Sequence, residues 1–213
     1  MLLMSEPFSD KKQTILDAAE KLFSKYGFDA TSTREIAEEA GANVAMISYY
    51  FGSKENLLNA IVERYSNEII TKLTEVYNPD QKAHERLDRM IEAYLTCCYD
   101  HPDPVIIAHR ELGVNLRPVL QDTIQCTFTK VRDIVSQIIQ DGQKEGVFRD
   151  VDIQMMLHGI GSMVDSMLVE AYSLKRMGVD LKPFGIADTD DAESRAKVSK
   201  FLKELIHCYL KKE

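Results

Sequence analysis

Along most of this chain, apolar residues recur at intervals of three and four, which places them on one face of a helix. Ser9-Asp10 can cap a helix start, Ile15, Leu16, Ala19, Leu22 and Phe23 form its stripe, and Tyr26-Gly27-Phe28 ends it, with Phe28 and Ala30 expected to fill the gap beneath the next element. The same spacing predicts a long helix from Ser53 to about Tyr77 through Leu57, Leu58, Ile61, Tyr65, Ile69 and Leu73, stopped by Asn78-Pro79-Asp80. Further helices are predicted over 84–99, 105–113, 119–144, 153–177 and 193–210, and His101-Pro102-Asp103-Pro104 forms a firm break. Phe128 in the run 119–144 and Phe201 and Leu205 in the last run are assigned to inward stripes. Residues 178–192 read as the one long irregular stretch, and residues 1–8 as disordered. No segment alternates with the period of two that a half-buried strand requires, so the chain reads as all-α.

The most informative stretch runs from Ser32 to Lys54. Ser32 followed three residues later by Glu35 is a capping box and starts a short helix. Ile36, Ala37 and Ala40 face inward, and Gly41 stands where a left-handed cap tolerates no side chain. Asn43 caps a second short helix, Val44 to Tyr50, anchored by Ile47. Two short helices joined by a turn of three to four residues containing Gly form a helix-turn-helix, in which Ala37 must be small because the second helix crosses close to it.

Tyr49-Tyr50-Phe51-Gly52-Ser53-Lys54-Glu55 follows directly and leads into the amphipathic run of the long helix. With ILDAAEKLFSKYGFDATSTREIAEEAG, it makes residues 10 to 65 resemble the TetR family of one-component transcriptional regulators. The resemblance implies an N-terminal three-helix DNA-binding domain (9–55) and a C-terminal helical bundle for effector binding and dimerisation (56–213). It implies a regulator, a repressor in the family's usual mode, that binds a palindromic operator on double-stranded DNA as a homodimer and is released by a small-molecule effector. Thr33 and Arg34 resemble a clamp on the DNA backbone, Lys54 the family's phosphate-contacting lysine, and Tyr49 an aromatic contact to a phosphate or thymine methyl. Tyr50 is turned inward by the spacing that buries Ile47. The recognition helix departs from the family in lacking a cation, so no bidentate grip on guanine is available. Reading is expected instead from Ser48 and Asn43 hydrogen bonds with Val44 and Ala45 against thymine methyls, which leans the half-site towards A·T.

Composition qualifies this picture. With 213 residues, 45% hydrophobic and 28% charged, the chain can bury a core without staples. No apolar run approaches the roughly 18 residues needed to cross a bilayer, and the opening MLLMSEPF lacks the features of a secretory signal, so the expected location is cytoplasmic. The net charge is −8, and residues 1 to 60 hold six Lys/Arg against nine Asp/Glu, net −3, which disfavours loose binding to DNA and puts the weight on placement of a few cations. Lys11 and Lys12 serve either as solvated surface or as phosphate contacts. Cys97, Cys98, Cys126 and Cys208 lack Cys-x-x-Cys or zinc spacing and read as buried thiols; no metal or cofactor is expected.

The candidate effector-binding residues in the second domain are Tyr94, Arg110, Glu111, His158 and Asp165, polar groups set among apolar ones. Arg110 or His158 could meet an acidic effector, and Glu111 or Asp165 a cationic one; His158 and Asp165 lie seven apart on one helix face. Taken singly, each is better explained as part of a structural ion pair. Helices 153–177 and 193–210 are the candidate dimer face by family resemblance. Two competing readings are an all-α enzyme and a helical interaction module that does not bind DNA. A di-iron bundle needs Glu-x-x-His on two helices, and one copy exists here, Glu204 to His207. No catalytic residues are assigned.

Overall fold

The computed structural model describes residues 6–114, 116–184 and 186–212, so the expectation of disorder at residues 1–5 lies outside it. Among the described residues there are nine α-helices and one short 3₁₀ turn: α1 (Glu6–Tyr26), α2 (Thr33–Glu39), α3 (Val44–Phe51), α4 (Lys54–Val76), α5 (Ala83–Asp100), α6 (Pro102–Val114), α7 (Pro118–Lys144), α8 (Ile153–Arg176) and α9 (Ala192–Leu210). Helix α1 starts before the expected cap, and residues 6–8 belong to it, since a proline at position 7 is tolerated in a first turn whose N–H groups lack partners anyway. The break at Pro102 is real but short, because α5 ends at Asp100, His101 is its cap, and α6 begins at Pro102. The irregular stretch contains the 3₁₀ turn, Lys182–Phe184, and is tied back to α8 by Lys175, which pairs with Asp188 and, at 2.6 Å, with Asp190.

Two apolar clusters form the interior and divide within α4. Leu57, Leu58, Ile61 and Val62 complete the core of the first three helices, where Ile15, Ile36 and Ile47 are fully buried, each contributing about 1.5–3 kcal/mol. Ile107 of α6 and Leu120 of α7 also enter this head cluster. From Tyr65 onward, α4 faces the body cluster, with Leu87 and Leu95 of α5, Ile138 and Ile139 of α7, Val164 of α8 and Leu202 of α9. Helices α4 and α5 run antiparallel, since Tyr65 meets Cys98 at one end and Tyr77 meets Arg86 at the other.

At the end of the body remote from the head, Arg86 is buried and reaches Asp141 at 2.8 Å, the Tyr77 hydroxyl at 3.1 Å and Glu145 at 3.6 Å. Glu145 also accepts from the Ala83 N–H, so one carboxylate caps α5 and steadies the arginine. Beside them α7 turns sharply: Val147 and Phe148 both donate their backbone N–H to the Gly142 carbonyl, and Phe148 folds back over the helix.

Periodicity misplaces several residues. Phe28 is buried but Ala30 is exposed, so the gap under the helix-turn-helix is filled by the ring alone. Phe128, Phe201 and Leu205 are exposed, although their spacing marked them as inward, because no neighbouring helix covers those positions. Cys97 and Cys98 are buried, whereas Cys126 and Cys208 are exposed, which corrects the expectation of four buried thiols.

Gly142 is the tightest of the described glycines, because a Cβ there would lie 2.0 Å from the Phe148 ring. Gly142→Ala is expected to lower the unfolding free energy by about 1–3 kcal/mol despite the better helix propensity of Ala, as read from urea unfolding followed by circular dichroism.

Candidate functional site

The capping box at the start of α2 is complete: Ser32 Oγ accepts from the Glu35 N–H at 3.2 Å, and Glu35 Oε2 accepts from the Ser32 N–H at 2.7 Å. These hydrogen bonds hold the Glu35 carboxyl below its ordinary value. At the other end the Ala42 N–H reaches the Ala37 carbonyl at 2.8 Å and the Gly41 N–H reaches Glu38, a Schellman stop with Gly41 at φ +55°. Lys11 of α1 adds its ammonium to the Gly41 carbonyl at 3.0 Å, sealing the turn. Asn43 then caps α3 through Met46 N–H at 3.0 Å.

This geometry pins α3 by Ile47 and Phe51, which are buried, and turns Val44, Ala45, Ser48 and Tyr49 outward as one exposed face. Tyr49 is 77% exposed, with its ring edge-on to the half-buried Tyr50 at 5.1 Å. Arg34 is exposed beside Thr33 on the first turn of α2 and forms no ion pair among the described residues. Asn43 contributes less to that face than expected, because its side-chain oxygen is committed to the cap and only its amide N–H groups remain.

Lys54 is engaged within the head. Its ammonium donates to the carbonyls of Phe28 and Thr31, each at 2.9 Å, and stands 4.1 Å from the centre of the Phe28 ring. The α1–α2 loop presents these carbonyls to the first turn of α4, and Lys54 ties the loop down. Lys11 is likewise spent on the α2 turn, and Lys12 lies 5.7 Å from the Phe51 ring. Several head acids are neutralised away from the exposed face of α3: Arg64 takes Asp17 and Glu20, Lys21 takes Glu39, and Arg117 takes Asp29.

In the body, a cavity of about 220 Å³ opens between α4, α5, α6, α7 and α8, with Ile206 of α9 closing part of its wall. Of the candidate effector residues, Tyr94 lines it, and the Tyr94 hydroxyl donates to Asp165 at 3.4 Å. The other three are elsewhere. Arg110 donates to the Ser24 carbonyl at 2.6 Å and to Phe23 at 3.4 Å, capping the C-terminal turn of α1. Glu111 pairs with Arg117 at 2.9 Å; burial raises its carboxyl and Arg117 opposes that rise. His158 is exposed although it shares a face of α8 with Asp165, which the Tyr94 hydroxyl meets. His207 of the lone Glu-x-x-His pair sits 2.6 Å from Asp88, and among the described residues no group of three or more His, Cys, Asp or Glu is placed to hold a metal.

Sequence reasoning missed four residues that the structure brings into play. Phe28 and Arg117 join head to body, and Tyr65 and Ser66 line the cavity beside Tyr94. Ser66 carried a visible signal: it is a lone hydroxyl on the apolar face formed by Val62, Tyr65, Ile69 and Leu73.

A three-helix head ending in an outward-facing second helix, joined by a long helix to an all-α body with an internal cavity, defines the class of helix-turn-helix regulators. Residues 15–61 match the family described as "Bacterial regulatory proteins, tetR family", and residues 80–169 match "Tetracyclin repressor-like, C-terminal domain". The chain belongs to the TetR family. It is similar to the HTH-type transcriptional repressor NicS of Pseudomonas putida, 33% identical over 144 residues that cover 65% of this chain and 66% of that protein. It is also similar to the probable HTH-type transcriptional regulator YttP of Bacillus subtilis, 30% identical over 138 residues, 63% and 65% of the two chains. The match thus spans just under two thirds of these relatives. The fold extends further: the TetR family transcriptional regulator PfmR from Thermus thermophilus superposes with a TM-score of 0.72 at 23% identity, covering 93% of this chain and 99% of that one.

Asp165 offers a direct check on the cavity wall. Burial raises its carboxyl above the ordinary range, with His109 and the Tyr94 hydrogen bond opposing the rise. A pKa higher in the folded than in the unfolded state means that ionisation costs stability, a cost that grows as pH climbs above the unfolded value of about 3.9. Asp165→Asn is therefore expected to melt at a higher temperature than the wild type at pH 7 and to lose that advantage by pH 4, as followed by far-ultraviolet circular dichroism.

Proposed function

We propose that this chain is a ligand-responsive transcriptional repressor that binds a palindromic operator as a homodimer and releases it when a small molecule fills the body cavity. The observation that carries the reading is the outer face of α3, where Val44, Ala45, Ser48 and Tyr49 stand exposed while Ile47 and Phe51 hold the helix from beneath. An exposed helix face of this kind fits the major groove, with Thr33 and Arg34 on the flanking backbone. Residues 9–55 act as the reader and 56–213 as the sensing and pairing body, with α4 running through the cores of both. The repressor sense is drawn from NicS, a repressor by name. No helix among the described residues is long and apolar enough to cross a membrane, and the place of action is the cytoplasm, where the DNA is.

Pairing is supported by an apolar face that the single chain leaves open. Met155 on α8 is 67% exposed, and one stripe of small residues follows it, Gly159, Ser162 and Ser166. Phe201, Leu205 and Tyr209 on α9 are each at least 40% exposed. A monomeric surface rarely carries so many large apolar side chains in one region, and two reading heads about 34 Å apart match successive half-sites on one face of the duplex.

Coupling between cavity and head runs through α6. Ala108 and Leu112 line the cavity, and Arg110, between them in sequence, holds the last turn of α1. A molecule that displaces α6 therefore moves the grip on the helix that supports the reading head, in line with the few kcal/mol typical of allosteric coupling.

Three measurements test the reading. In fluorescence anisotropy with DNA from upstream of its own coding sequence, Arg34→Ala is expected to weaken binding about tenfold across sequences and to reduce the salt slope by about 1, as loss of one phosphate contact requires. Selected half-sites should be rich in A·T, and half-sites dominated by guanine contacts would show that another helix face reads the DNA. In analytical ultracentrifugation the wild-type chain is expected to sediment as a dimer and Leu205→Glu as a folded monomer that binds DNA at least about 100-fold more weakly. A wild-type monomer would overturn the reading.

A further inference from the structure

We propose that the body cavity takes an elongated, uncharged lipophile with one hydroxyl-like group near one end, and that it rejects the corresponding carboxylate. The assignment rests on the regulator reading only in calling this molecule the effector; the binding itself is a property of the body. The cavity follows α4 from Val62 to Leu73, eleven residues, or about 16 Å along the helix axis. Its far end is closed by Leu73, Leu87, Val135, Met156 and Ile206, whose side chains carry no nitrogen or oxygen. No lysine, arginine, histidine, aspartate or glutamate among the described residues lines it.

The polar atoms gather towards the end nearer the head, on Tyr65, Ser66 and Tyr94. The two phenols have their protons engaged, Tyr65 with Cys98 Sγ at 3.5 Å and Tyr94 with Asp165, which leaves oxygen lone pairs as acceptors. Ser66 is only 7% exposed, lines the cavity and makes no side-chain hydrogen bond among the described residues. Its hydroxyl faces the cavity space and can both donate to and accept from a ligand group there. Thr127 is not available in the same way, because its hydroxyl donates to the Thr123 carbonyl at 2.7 Å. Burial pushes Cys98 up to about 12 and raises Tyr65 and Tyr94 further, so the wall stays neutral at physiological pH.

An alcohol fits this set: its proton goes to a phenol oxygen, and its oxygen accepts from Ser66. A carboxylate meets acceptors, no cation, and Asp165 just behind Tyr94, so its desolvation goes uncompensated. An ammonium does little better, since Asp165 is reached only through Tyr94 and is not part of the lining. Entry is over Leu112 and Phe128, 44% and 55% exposed at the gap between α6 and α7.

The test is isothermal titration calorimetry of the full chain at pH 7.5 with 1-decanol, decanoate and decylammonium. Decanol is expected to bind one to one, and each ion at least about 100-fold more weakly. Ser66→Ala is expected to weaken decanol by about three- to tenfold with an unchanged melting temperature. Gly161 lines the cavity and has open space where a side chain would project, so Gly161→Leu is expected to abolish decanol binding without lowering the melting temperature. The proposal is overturned if decanol does not bind, if either ion binds as tightly, or if Gly161→Leu or Ser66→Ala leaves its affinity intact. Anisotropy on operator DNA separates the two readings. A chain that binds decanol but no DNA defeats the regulator reading alone, while one released from DNA by decanoate and not by decanol defeats this one alone.

Discussion

Phe28 is the point at which the reading head is joined to the rest of the molecule. The loop between α1 and α2 has to bury this ring, and in doing so exposes carbonyls that helix geometry cannot satisfy. Lys54 answers from α4, bonding two of those carbonyls while standing 4.1 Å from the ring centre, and Arg117 answers from the start of α7 at 4.0 Å. Each cation–ring contact contributes about 0.5–2 kcal/mol, more where water is excluded. Arg117 is held in turn by Asp29 of the loop and Glu111 of α6, and Arg110 of α6 closes on the last carbonyls of α1. Lys54, Arg110 and Arg117 thus converge on the end of α1 and the loop that follows it.

That arrangement explains why α6 is so placed. It is short, begins immediately after a proline break, and has one side towards the head and the other towards the cavity. Ile107 belongs to the head core, whereas Val105 belongs to the body core. A helix inserted between two packed clusters cannot shift for one without disturbing the other, because close-packed interiors do not deform continuously. The charge distribution follows the same logic. An acidic head suits a DNA-reading role once Arg64, Lys21 and Arg117 have drawn Asp17, Glu20, Glu39 and Asp29 onto the flanks, leaving Arg34 beside an outward face free of acids on α3.

Much of this was legible along the chain. Helix number and order, the capping box at Ser32, the Gly41 stop, the Asn43 cap and the outward set on α3 all follow from local rules of spacing and hydrogen bonding that operate within a few residues. The cavity was legible only as a general expectation that packed helices leave space; its apolar lining comes from residues on six helices, and none of them signals the others in sequence. Arg110 and Glu111 stood out as polar residues in an apolar run and were therefore assigned to ligand binding. The tertiary structure gives them to the head instead, because unsatisfied carbonyls at the end of α1 and the guanidinium of Arg117 lie within their reach. Ser66 faces the cavity beside Tyr65 and Tyr94.

By itself, then, the sequence determined an all-α chain with a helix-turn-helix at its front, since secondary structure and its caps depend on neighbours three to five positions away. Only the tertiary structure decided which polar side chains are engaged inside the molecule and which are left exposed. Lys54 and Arg110 carry the same charge as Arg34, but the first two meet carbonyls brought close by chain folding, and Arg34 meets none among the described residues. A side chain's partner is set by what folding places within about 3 Å of it, and that distance is not written in spacing along the chain.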